Sequence, residues 1–297
     1  MKRALPILVA LLISAITLGV LMSLPASIWA DWRPATCLQR GCFCELPKYN
    51  SPIRQRANTI SSLGYIFSGM LAMIPSKITR RFSFGHAVIF GASSLIIGVG
   101  SAFYHASLTF TGQFFDVLGM FMLATLMLVY AFERIWNLRF AATLGMYLAI
   151  VLFLSVLQLS LPDTRRFVFA VVLIVALLFE AHYLTHFTHF CRRVTETQSK
   201  SLYSSLRLRV SVARLRNVSY LKQKTPVIAA NKLRLGILLL AVAFIIWTFD
   251  IARIICIQTS LIQGHAIWHL LGAASVGLLY QYYASEQDGL TKRLYRK

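Results

Sequence analysis

The stretch GQFFDVLGMFMLATLMLVYAF, residues 112–132, carries one charged side chain, Asp116, in an otherwise apolar run. Such a run is long enough to cross a hydrocarbon core of about 30 Å as a helix, and too long and uniformly apolar for a strand. Seven more stretches read the same way: 4–24, 57–76, 85–106, 139–160, 167–190, 235–257 and 264–283. No repeat or low-complexity tract separates them. The expected fold class is therefore all-α: a polytopic membrane protein with a seven-transmembrane-helix core, preceded by an N-terminal signal anchor or signal peptide. Residues 1–30 form that anchor or signal sequence, and 31–297 form the seven-span domain with a basic cytoplasmic loop at 191–234.

Composition agrees. Of 297 residues, 57% are hydrophobic and 13% charged, about half the charged fraction of roughly 25% usual in soluble domains. Mean hydropathy is +0.66. A soluble globular enzyme is excluded. The formal net charge of +20 would point to nucleic acid in a soluble chain, but positive residues also collect on cytoplasmic loops of membrane proteins. Their placement decides between the two. With Lys2 and Arg3 inside, twenty-two of the thirty Lys and Arg fall on inner segments and seven on outer ones. No nucleic-acid partner is expected, and the C-terminus is cytoplasmic. The loop 191–234 has apolar residues at roughly helical spacing among its basic ones, so contact with anionic lipid is an alternative to a solvated loop.

The first stretch exceeds the roughly 7–15 residues of a signal h-region, and Pro25–Ala30 makes a poor cleavage site. An uncleaved anchor is the reading, a removed peptide its alternative. Three cysteines, Cys37, Cys42 and Cys44, cluster in the first outer loop, and Cys256 lies at the outer end of its span. Disulfides are expected among them, since that side is oxidising, whereas Cys191 lies inside.

Ionisable groups inside spans are costly and therefore informative. Tracing direction puts Ser101 and His105 at the outer end of one span, Asp116 at the outer start of the next, and His265 and His269 at the outer start of the last. His265 and His269 share one helix face, as do Ser101 and His105. Three histidines, two of them at i, i+4, match the ligand set of a catalytic zinc, with Asp116 to hold or deprotonate water and Ser101 to donate to an oxyanion. His182, His186 and His189, with Glu180 nearby, form a rival set at the opposite end and read as interfacial. His86 also reads as interfacial, and Asp250 with Arg253 as a buried ion pair.

These residues resemble a known family. Gly100-Ser101-Ala102-Phe103-Tyr104-His105, Asp116 and His265-Ala266-Ile267-Trp268-His269 are similar to the S-x3-H…D…H-x3-H set of the CREST superfamily of membrane hydrolases. The alkaline ceramidases are the nearest group within it. Asn58-Thr59-Ile60-Ser61 looks like their N-T-x-S, Trp247-Thr248-Phe249-Asp250 like their W-x-x-D, and Asp31-Trp32 like their D-W. The resemblance implies zinc on His105, His265 and His269, water activation by Asp116, and stabilisation of the tetrahedral intermediate by Ser101. It implies an amidohydrolase that cleaves a ceramide-like membrane lipid to a fatty acid and a sphingoid base; the tracing direction puts that site on the lumenal, periplasmic or extracellular side. It also implies calcium, through acidic residues at positions that here hold Pro34, Thr36 and Gln55. That leaves Asp31, Trp32 and Glu45 as calcium candidates. The alternatives are a zinc hydrolase of another acyl ester or amide, or a non-catalytic receptor-like protein with the same metal core.

Overall fold

The computed structural model describes residues 4–38, 41–74, 82–206 and 229–286, with side chains not described for 187–228. Its helices are α1 (Leu5–Ser23), α2 (Arg56–Ser62), α3 (Gly64–Met73), α4 (Phe84–Ser107), α5 (Phe110–Trp136), α6 (Phe140–Ser160), α7 (Arg165–Leu206), α8 (Ala230–Ile251) and α9 (Gly264–Tyr283). No strand interrupts them among the described residues. Six helices, namely α1, α4, α5, α6, α7 with its preceding turn, and α8, are long and apolar enough to cross a bilayer. Phe167, Leu152 and Leu178 are 77%, 67% and 64% exposed, an apolar surface of the kind that lipid covers. The chain is a multi-pass membrane protein.

Two of the eight apolar stretches differ from simple spans. The stretch 57–76 breaks at Leu63 into α2 and α3. The Ser61 and Ser62 hydroxyls both donate to the Asn58 carbonyl, at 3.1 and 2.7 Å, and such back-bonding bends a helix. The last stretch, α9, has the length of a span but carries His265, His269, Ser275 and Gln281 among its apolar residues, and most of its side chains are buried in the bundle.

Helices α4 and α5 form the centre and share the most extensive interface. Their close approach needs glycine: a Cβ on Gly100 would lie 2.8 Å from the Phe115 carbonyl, and one on Gly119 2.5 Å from the Ile97 nitrogen. Small residues let backbones meet in this way inside membranes. The turn between α4 and α5 is Leu108, left-handed at φ 49°, followed by Thr109, whose side chain caps α5 through the Gly112 N–H. A helix ends with unpaired carbonyls, and here the outer loop satisfies them. Gln55 N–H donates to the His105 carbonyl, Arg54 N–H to Ala106 and Ala35 N–H to Leu108, each at 3.0 Å. The loop is thus bound to the end of α4 that carries Ser101 and His105.

The opposite end is held by buried charge. Arg134 pairs with Glu180 and, at 2.9 Å, with Glu286, while Tyr130 donates to Glu286 at 2.6 Å and Tyr282 to Glu180. His86 is 3% exposed and lies 2.9 Å from Glu133. It is a buried partner that links α4 to α5, which corrects its reading as an interfacial side chain. The basic segment 191–234 lies largely outside the described side chains.

Candidate metal and catalytic site

His105 comes from the last turn of α4, and His265 and His269 from the first turns of α9. All three are buried, and their ligand nitrogens lie within 4.8 Å of one another. The networks around two rings define their tautomers. The Gln55 amide donates to the Glu45 carbonyl at 2.8 Å, which leaves its Oε1 to accept from His105 Nδ1 at 2.8 Å. Ser61 spends its proton on Asn58, so its oxygen accepts from His269 Nδ1 at 2.9 Å. In both rings Nε2 then carries the lone pair. His265 Nε2 lies 3.2 Å from His105 Nε2, two basic atoms turned towards one point. Neutral imidazoles with a bonded distal N–H are the usual metal-ligand arrangement, so the donor set fits zinc.

Ser101 Oγ is 3.4 Å from His269 Nε2, and Ser101 and Asp116 face the same cleft. Ser101, Asp116, His265 and His269 line one cleft of about 760 Å³, open mouth included, with walls that include Tyr65, Met120, Phe169 and Trp268. Arg165 and Arg166, at the start of α7, also line it. The Arg165 guanidinium donates to Thr36, and that of Arg166 lies 5.4 Å from the Trp247 ring centre. An apolar extension shares Tyr65, Met120, Phe169 and Trp268 with the cleft. It runs between α5, α7, α8 and α9 as far as Leu177, Leu233 and Leu279.

The outer loop is cross-linked by disulfides Cys37–Cys42 and Cys44–Cys256. Asp250 does not pair with Arg253 among the described ion pairs. Its two oxygens accept from the backbone N–H groups of Cys44 and His265, each at 3.1 Å. Arg253 instead turns the chain after α8, at φ 55°.

The calcium candidates sit in different environments. Among the described residues, the one group of three or more His, Cys, Asp or Glu side chains close enough to share an ion is the histidine triad. Asp31 and Trp32 are exposed. Both Glu45 oxygens accept from α2, from Ala57 N–H at 2.8 Å and Asn58 N–H at 2.9 Å. Burial raises the Glu45 carboxyl above its ordinary range, against the pull of those N–H groups and of Lys48. Glu45 is a helix cap. At the other positions, Gln55 is committed to His105, and Thr36 receives a guanidinium.

Glu180 separates from the rival histidines: it faces the core, while His182 and His186 are exposed. The side chain of His189 lies outside the described residues. Sequence reading missed Gln55, Ser61, Ser62 and Phe43 as neighbours of the triad. Polar residues crowded over 55–62, at the start of an apolar stretch, are the signal that points to the first three.

Residues 43–295 match the family model described as Ceramidase. A Dictyostelium discoideum protein named "Putative alkaline ceramidase dcd3A" is 39% identical over 101 residues, which cover 29% of this chain and 35% of that protein. The match therefore spans about a third of the relative's length.

Proposed function

The chain belongs to the ceramidase family, and on that premise we propose that it is a zinc-dependent membrane hydrolase. It cleaves the amide of a ceramide-like lipid to a fatty acid and a sphingoid base. The observation that carries this reading is the buried triad beside a Ser101–Asp116 pair at the head of an apolar cleft. His105, His265 and His269 would hold the metal. Zinc bound there would supply hydroxide at neutral pH by lowering the pKa of water to about 7. Asp116 orients the attacking water, takes its proton and returns it to the departing amine. Ser101 donates its hydroxyl to the oxyanion that develops on the amide carbonyl. Arg165 and Arg166 bring positive charge to the cleft that Asp116 lines. One lipid chain lies in the apolar extension, entering between α7, which packs chiefly on α5, and α8, which packs chiefly on α9.

The site opens on the lumenal, periplasmic or extracellular side with the C-terminus in the cytoplasm. Two disulfides at that end and the distribution of basic residues support this orientation. Packing of Ala10 and Leu21 in one cluster with Ile66 and Met70 supports α1 as a retained anchor, with seven spans following it.

The test is release of fatty acid and sphingoid base from a defined ceramide by the detergent-purified protein. Activity should vanish with chelator, return with zinc, and be absent in Asp116→Asn. A zinc-loaded protein that leaves ceramide intact would overturn the reading. One observation favours a second reading, hydrolysis of a different acyl lipid: a ceramide has no charge to meet Arg165 and Arg166. A panel that adds acyl lipids with anionic head groups separates the two.

A further inference from the structure

Two of the three candidate ligands are oriented by hydrogen bonds, His105 by Gln55 and His269 by Ser61. His265 is not. Its Nδ1 is buried without a hydrogen-bond partner among the described residues. What its ring has instead is a flat neighbour: the Phe43 ring is stacked on it, with centroids 3.8 Å apart and planes 26° from parallel. Phe43 also packs against His105 at 5.0 Å and Tyr104 at 6.1 Å, and is 8% exposed.

The chain holds Phe43 there firmly. It is the one residue between Cys42, bonded to Cys37, and Cys44, bonded to Cys256. The following N–H, of Cys44, donates to Asp250, and the other oxygen of the same carboxylate accepts from the His265 N–H. The backbone of the stacked ring and the backbone of the ligand are thus tied to one side chain at the end of α8. The disulfide to Cys256 anchors the loop to the segment just beyond.

We propose that Phe43 is a positioning residue for the metal centre: its ring fixes the His265 imidazole by stacking, and the disulfide-bonded loop fixes Phe43. The proposal rests on the zinc reading above. An imidazole without a distal hydrogen bond is held about its Cβ–Cγ bond only by what packs on it, and every turn away from the shared point costs a ligand. A stacked ring blocks that rotation and keeps water from Nδ1. Groups that orient a metal ligand through hydrogen bonds change metal affinity by roughly 10–100-fold when removed. A single aromatic contact belongs at the lower end, about tenfold.

The experiment measures zinc release from the full-length protein to a chromophoric chelator, with the absorption spectrum of the cobalt-substituted protein as a geometric readout. Phe43→Ala and Phe43→Leu should release zinc about ten times faster than the unaltered protein and shift the cobalt bands. Phe43→Tyr, which keeps the ring, should behave as the unaltered protein. Cys44→Ser combined with Cys256→Ser should move release in the same direction as Phe43→Leu. Leucine fills most of the space, so that variant stays informative if the alanine protein does not fold. A merely structural residue would lower the Tm of the metal-free protein and leave zinc release and the cobalt spectrum unchanged; that result overturns the proposal. Unaltered protein that binds no zinc would overturn the reading of the site beneath it.

Discussion

Replacing Gln55 with leucine separates the metal from the scaffold. Gln55 is 1% exposed, and its amide meets three buried groups, the His105 Nδ1–H and the Glu45 carbonyl, each at 2.8 Å, and the Asn58 side-chain amide at 3.4 Å. Leucine has nearly the same volume and can meet none of them. Each orphaned buried group costs about 1–3 kcal/mol, so the folded protein loses about 3–9 kcal/mol. Loss of the group that orients His105 should weaken zinc binding about 10–100-fold, which is about 1.4–2.8 kcal/mol at 1.4 kcal/mol per decade. Gln55→Glu gives the contrast. A carboxylate accepts from His105 Nδ1–H at least as well but gives the Glu45 carbonyl no donor, so it should lose stability and keep zinc. Competition with a chelator of known affinity measures the metal, and thermal unfolding of the metal-free protein measures the fold. A leucine variant that binds zinc as tightly as the unaltered protein would refute the reasoning, whatever its Tm.

Other outcomes follow from the packing. Gly100→Ala should cost about 1–3 kcal/mol of stability and lower activity with it, because its Cβ would lie 2.8 Å from the Phe115 carbonyl, next to Ser101 and Asp116; thermal unfolding and turnover of one preparation check both. Glu180→Gln should destabilise by about 3–5 kcal/mol, since it breaks a buried ion pair with Arg134, yet leave zinc content unchanged at the far end of the bundle. Leu279 lies ten residues along α9 from His269, about 15 Å at about 1.5 Å per residue. That depth takes about 12 carbons of a chain that advances about 1.25 Å per carbon, from bonds of about 1.5 Å at about 111°. Leu279→Trp should shift turnover towards shorter N-acyl chains in a series of defined lengths, with the shortest unaffected.

Much of this architecture was legible in the sequence, for reasons that also mark the limit. Long apolar runs report helices in lipid, and a charged residue is conspicuous inside them. The tracing direction alone put Ser101, His105, Asp116, His265 and His269 at one depth, and the structure sets them around one cleft and one shared point. The break at Leu63 was not legible, since it depends on two serine hydroxyls turning back to one carbonyl. Asp250 was misread because Arg253 at i, i+3 looks like a partner. Its true partners are backbone groups of Cys44 and His265, 206 and 15 residues away, and backbone donors leave no signature in a side-chain pattern. The bonds of Glu45 to the Ala57 and Asn58 N–H groups were not legible for the same reason. The Arg134–Glu180–Glu286 cluster joins residues 46 and 152 apart, beyond what local spacing reveals.

The central claim is that three imidazoles hold one zinc ion. Elemental analysis of the detergent-purified, metal-replete protein, together with His105→Ala, His265→Ala and His269→Ala, tests it most directly. The account predicts about one zinc per chain in the unaltered protein and loss of zinc in all three variants. Folded protein without zinc, or zinc retained when the histidines are replaced, would contradict it.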